Sequence, residues 1–233
     1  MAAIPPDSPH AGSISSTQTK HGNSQRCEAL AHTIAAAERL IRSVLTSPDM
    51  LLALAPLGYN ELELNKGLTL FTTSQSKFTV RQEALAVAKL ATKARDIAFD
   101  IAKKEFTDFQ TVVKANPRGT EQAGLAASGP IPSRSAKFCA SARNAYNRGL
   151  QEPYISILPN HGFNRQRLTK ALSVLDKLDT AESAHENALS KVKVATETRD
   201  VAADALIAWV NKLRTIANIA LEDRPTLLSR LKD

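Results

Sequence analysis

The chain has 233 residues, 43% hydrophobic and 23% charged, with aromatic residues at only 5%. That length suits one or two domains with a real core, and an aromatic-poor composition rich in Ala and Leu favours close-packed helices. Thirty basic against 23 acidic residues give a net charge of +7, a diffuse excess that aids solubility and argues against a nucleic-acid stripe.

Cys27 and Cys139 are too few for a disulfide framework and lack metal spacing, so two reduced thiols are expected. The start of the chain has no apolar signal-type core. No run reaches the ~20 apolar residues that span a bilayer, so no membrane span and a cytoplasmic location are expected.

Residues 1–26 are rich in Ser, Pro, Gly and His, and their composition predicts a disordered arm with His10 and His21 solvated. From Cys27 to Thr46, Leu30, Ile34, Ala37, Leu40, Ile41 and Val44 recur at helical spacing. Ser47 then reads as the cap of a short helix, with Pro48 at its first position and Gly58 as its stop.

The stretch that follows, LGYNELELNKGL (Leu57–Leu68), recurs as HGFNRQRLTKAL (His161–Leu172). The match runs without a gap for roughly sixty residues with about fourteen identities, which reads as two copies of one helical unit. Gly58 and Gly162 suit the left-handed residue past a helix, and Asn60 and Asn164 suit the N-cap of the next. Tyr59 with Leu64, and Phe163 with Leu168, occupy the positions of a hydrophobic staple. Glu63 stands where a capping box needs an acid; in the second copy Arg167 replaces it.

A long helix should begin at Glu61 and run to the residues before Pro117, roughly 80 Å if straight. Its weak point is Thr72–Thr79, where propensity is poor and a kink could sit. One seam repeats every seven residues: Leu64, Phe71, Phe78, Leu85, Thr92, Phe99, Phe106 and Val113. The second copy keeps this register from Leu168 to Ala217, interrupted by Glu182.

Asn116–Ser135, with its prolines and glycines, is the connector. A helix from about Ala136 to Leu150, a short one near Pro153, a second long one from about Arg165 to Leu221 and a final TLLSRL turn complete the chain. The expected organisation is an N-terminal arm (1–26), repeat 1 (27–115), the connector (116–135) and repeat 2 (136–233), with both repeats packed as one domain. The fold class is all-α: an elongated antiparallel helical bundle, or coiled-coil-like rod, about a pseudo-twofold axis near Ala88 and Val192.

Just past that midpoint both copies carry Thr, Arg, Asp and Asp at matching places: Thr92, Arg95, Asp96 and Asp100, then Thr196, Arg199, Asp200 and Asp204. The expectation is a structural polar layer in which Arg pairs with Asp across the axis. Four carboxylates also raise a cofactor or metal site as an alternative, although no Glu-x-x-His motif accompanies them. Arg134, Lys137, Arg143 and Arg148 form the basic segment, a possible contact for an anionic partner such as nucleic acid or an acidic surface.

Phosphate-cradling loops of the GxxxxGK[ST] and GxGxxG types are absent, neither cysteine has a nucleophile signature, and no cofactor is expected. His161 reads as a turn residue rather than a general base, and Trp209, opposite Glu105 of the first copy, as an edge-packing residue.

With GYNELELNKG, the Ala-rich long helix and the terminal ALEDRPTLL in view, the chain resembles a group of uncharacterised bacterial proteins built from duplicated helical units. That group shares a G-[YF]-[NT]-x3-L helix start and an ALEDRPQLLE-like C-terminus. The resemblance covers Cys27 to Asp233, implies an all-α fold and carries over no activity; the Pro-rich arm departs from it. The resulting functional expectation is a non-enzymatic scaffold or protein-interaction module that acts through its long helix faces, with self-association as one form.

Overall fold

Two helix stops with left-handed glycines divide the chain, because each ends a short helix two residues before the cap of a long one. The computed structural model describes residues 16–115 and 130–231, with side chains from residue 28 onward. The rest of the N-terminal arm and of the connector lies outside the described residues. All described elements are helical, so the fold is all-α. In order they are α1 (Ser16–Leu45), α2 (Pro48–Leu54), a 3-10 turn (Ala55–Leu57), α3 (Glu61–Ala115) and α4 (Ser135–Gly149). Then follow α5 (Tyr154–Ile157), a second 3-10 turn (Leu158–His161), α6 (Arg165–Ala220) and α7 (Pro225–Ser229).

Both long helices start where the caps put them. Gly58 has φ +91° and Gly162 φ +83°. The next amide reaches back five residues in each copy, Tyr59 N–H to Leu54 O at 3.2 Å and Phe163 N–H to Leu158 O at 3.1 Å, the long bond of a Schellman stop. Asn60 Oδ1 then accepts from Glu63 N–H at 3.0 Å, and Asn164 Oδ1 from Arg167 N–H at 2.9 Å. Each cap contributes about 1 kcal/mol.

Three local expectations need correction. The Ser47 hydroxyl makes no capping bond, although Ser47 holds extended N-cap backbone and Pro48 follows it. Glu63 does not close a capping box: its carboxylate binds Lys66 Nζ at 2.7 Å and Trp209 Nε1–H at 3.2 Å, two charged or indole donors that outcompete one backbone amide. Residues 16–26, assigned by composition to the arm, continue α1; extension from the packed part of a helix costs only propagation, not nucleation. The stretch Thr72–Thr79 is helical throughout, with Thr72 and Thr79 hydroxyls bonded back to the carbonyls of Thr69 and Gln75.

The described residues form two compact units, one within 1–79 and 197–233 and the other within 80–196, and each draws on both long helices. In the first, an aliphatic core joins Ile34, Ile41 and Val44 of α1, Met50 and Leu54 of α2, and Leu64 of α3 to Leu206, Val210 and Leu213 of α6. In the second, the core is aromatic: Phe106 and Phe109 of α3 meet Phe138 and Tyr146 of α4 and Phe163, with ring centroids 5.1–5.8 Å apart across elements. Each such large side chain contributes about 1.5–3 kcal/mol by leaving water. Within this unit Arg81 reaches Thr196, Arg95 reaches His185, and Glu105 reaches Arg167, so α3 and α6 run antiparallel there.

Trp209 is the sharpest packing feature of the first unit. Its indole donates to Glu63 and meets Tyr59 edge-on at 5.7 Å. The ring lies against Gly67, where a Cβ would stand 2.6 Å and 2.7 Å from Cζ3 and Cζ2. Glycine inside a helix costs about 1 kcal/mol against alanine, so this one is retained for the close approach. Gly67→Ala should therefore lower the unfolding free energy by about 2 kcal/mol despite its better propensity. In a Trp209→Leu background the same substitution should be neutral or stabilising; equal effects in both backgrounds, measured by denaturant unfolding, would show that the ring contact is unimportant.

Candidate functional site

Arg95 organises a polar cluster in the second unit. Its guanidinium holds Asp96, the next residue on α3, with Nη2–Oδ1 at 2.6 Å and Nε–Oδ1 at 3.0 Å. It also reaches α6, with Nη1 3.4 Å from His185 Nδ1 and Nε 3.7 Å from Glu182 Oε2. A guanidinium only donates, so Nδ1 is the accepting atom in that contact. Glu182 Oε1 accepts a short bond from the Ser135 hydroxyl. Ser135 is the first residue of α4, so the carboxylate also sits at the positive end of that helix. The interruption of the seam at Glu182 is therefore a tie between three helices. A groove of about 310 Å³ opens beside it, lined by Arg95, Asp96, Phe99, Ser133, Ser135 and Glu182, and the charged groups on its wall are paired with one another.

Thr92, Arg95, Asp96, Asp100 and Thr196 belong to the second unit, while Arg199, Asp200 and Asp204 belong to the first. Arg199 holds its own neighbour, Asp200, at 2.5 Å and 2.8 Å, as Arg95 holds Asp96. In the antiparallel run of the second unit, residues beyond the midpoint of α3 face α6 residues that precede its midpoint, so Arg95 meets Glu182 and His185. Thr92 and Thr196 bond back to Ala88 O and Val192 O at 2.8 Å each, and the Thr196 hydroxyl also accepts from Arg81 at 3.3 Å. Among the described residues no group of three or more His, Cys, Asp or Glu side chains could hold a metal ion.

The basic segment is divided in the same way. Arg143 binds Asp176 Oδ1 at 2.8 Å and Asp179 Oδ2 at 2.7 Å, and these carboxylates raise its pKa, Asp176 most. Arg134, Lys137 and Arg148 are exposed. Cys139 is buried in the aromatic core, and burial followed by its hydrogen bond with Asp179 pushes the thiol pKa up to about 12. His161 ends its 3-10 turn.

Two surface features carry no single-residue signature. On α3, Val87, Leu90, Ala94, Ile97 and Ile101 alternate at spacings of three and four and are all exposed. The four large ones are 54%, 70%, 51% and 53% accessible, well beyond scattered surface hydrophobics. At the Ile101 end the stripe meets a groove of about 760 Å³ between α3 and the start of α6, lined by Ile101, Lys104, Glu105, Arg167, Ala171 and Val174 among others. There Arg167 lies 3.8 Å over the Phe163 ring and binds Glu105 at 2.8 Å. The signal for the stripe was present in the sequence as a second heptad series, offset from the buried seam.

Two measurements check this geometry. In a double-mutant cycle with Arg95→Met and Glu182→Gln, coupling of about 0.5–1 kcal/mol is expected, and none if the contact is incidental. In a Cys27→Ser background, Cys139 should resist alkylation by iodoacetamide through pH 9, where an ordinary thiol is largely thiolate, and react only on unfolding. The raised pKa favours the protonated thiol in the fold, so its stabilising effect is present below the unfolded value and is lost as pH rises toward 12.

No single helix among the described residues is long and apolar enough to cross a membrane. Comparison of the chain with protein-family models, curated proteins and solved structures gives no match.

Proposed function

We propose that the chain is a non-enzymatic helical scaffold, a protein-interaction module whose working surface is the outer face of α3. One observation carries this reading: the stripe from Val87 to Ile101 keeps four large apolar side chains at least half exposed in one line. An isolated exposed Leu means little, but a contiguous apolar line on a rigid helix matches the way helices dock partners, through anchors at i, i+3, i+7 and i+10. One edge of the line is charged (Lys89, Lys93, Asp96 and Asp100), as the polar rim of an apolar contact should be. A cytoplasmic setting is part of the proposal and rests on the cysteine usage of the chain.

Binding of an anionic partner has less support. Arg143 is already held by two aspartates, and the exposed side chains of that segment include Arg134, Lys137 and Arg148. Heparin retention that collapses with salt would favour it over the scaffold reading.

The scaffold reading is tested with a photo-crosslinking benzoylphenylalanine at position 87 of the full chain. A discrete protein adduct is expected, and Leu90→Lys with Ile97→Lys should abolish it while unfolding free energy changes by less than about 0.5 kcal/mol. Absence of any adduct overturns the reading. So does a stability loss above about 2 kcal/mol, which would mean the stripe belongs to the fold.

A further inference from the structure

We infer that the occupant of the α3 stripe is a second copy of this chain, docked antiparallel through the same residues; the inference rests on the scaffold reading above. The stripe is a heptad series in its own right, with Val87, Ala94 and Ile101 at one core position and Leu90 and Ile97 at the other. Two such helices in antiparallel register set Leu90 against Ile101 of the second copy and Ala94 against its Ile97, each contact made twice about a twofold axis. The residues flanking one edge are Ala91 and Ala98, small enough to let the backbones approach closely.

Charge selects both the partner and the direction. The other edge carries Lys93 and Asp100, both exposed and without an ion pair among the described residues. In the antiparallel register that stacks Ala94 on Ile97, Lys93 of each copy faces Asp100 of the other, so one interface makes two complementary pairs. A parallel pairing sets Lys93 opposite Ala98 and Asp100 beside Glu105 of the second copy, which loses both pairs and adds like-charge contacts. The self-complementary pattern thus fits an isologous dimer and disfavours the parallel alternative.

Cover along this stretch is also incomplete. α4 packs against α3 from Phe99 onward, through Phe138 and Tyr146. Ahead of that point the seam residues Leu85 and Thr92 are only half-buried. A contact one helix wide and about 22 Å long is smaller than the ~800 Å² per partner of standard interfaces, so a dissociation constant in the micromolar range is expected.

Sedimentation equilibrium of the full chain from about 1 to 200 µM should show a reversible monomer–dimer equilibrium. Lys93→Glu alone, or Asp100→Lys alone, should weaken dimerisation about tenfold or more. An equimolar mixture of those two variants should recover the dimer to within about threefold of the original, because each mixed pair restores both charge contacts. Monomer at every concentration overturns the inference, as does a dimer indifferent to Lys93→Glu or a mixture that fails to recover. A monomeric chain that still gives a discrete crosslink to another protein at position 87 removes self-association and leaves the scaffold reading standing.

Discussion

A long helix must bury a stripe along its whole length, and in this chain that requirement falls on helices of 55 and 56 residues. Their partners are shorter. At about 1.5 Å per residue, the 15 residues of α4 reach only about 22 Å along α3. The aromatic core of the second unit lies within that reach, at Phe106, Phe109, Phe138 and Tyr146. Ahead of it, α3 relies on α6 and on small or polar seam residues: Ala88 is buried, and Arg95 spans to Glu182 and His185. Ion pairs of this half-exposed kind contribute little each. Their role there is to hold register where apolar cover is thin.

The ends of the long helices obey a different logic, one that is wholly local. Tyr59 and Phe163 each serve twice, as the last residue of a Schellman stop and as the residue before an asparagine cap. One side chain thereby fixes the angle between a short helix and a long one. The geometry is the same in both copies, down to the positive φ of the glycine and the fully buried Leu64 and Leu168.

That locality explains what could be read from sequence. Cap residues, left-handed glycines and the seven-residue seam act over a few positions, so both long helices and their burial pattern were legible; Leu64, Phe71, Phe106 and Val113 are buried as the seam requires. What could not be read depends on which residues meet across helices. Glu63 looked like half of a capping box because Trp209, its actual partner, lies 146 positions away in sequence. Arg95 meets Glu182 and His185, a pairing set by the antiparallel run of the second unit that the match between Arg95 and Arg199 in sequence does not reveal. The apolar line on the outer face of α3 was hidden by the stronger seam. Only exposure separates a second heptad series from a wider buried face.

The two long-helix starts differ most where this cross-helix choice is made. In the first unit Glu63, Gly67 and Trp209 come together, and the indole fills the space above a glycine. Their counterparts in the second unit are Arg167, Ala171 and Glu105, where an ion pair of 2.8 Å takes the place of the indole bond. A carboxylate cannot fill the volume of an indole, and Ala171 keeps its neighbours at a distance that Gly67 does not. The result is an open groove of about 760 Å³ instead of a packed edge, and it lies at the Ile101 end of the exposed stripe. Different residues at three positions thus accompany the same kind of helix start, with accessible surface in the second unit where the first has closed packing. The asparagine caps and the buried Leu64 and Leu168 are alike at both helix starts, and the open groove adds accessible surface on the side of α3 where the apolar line runs.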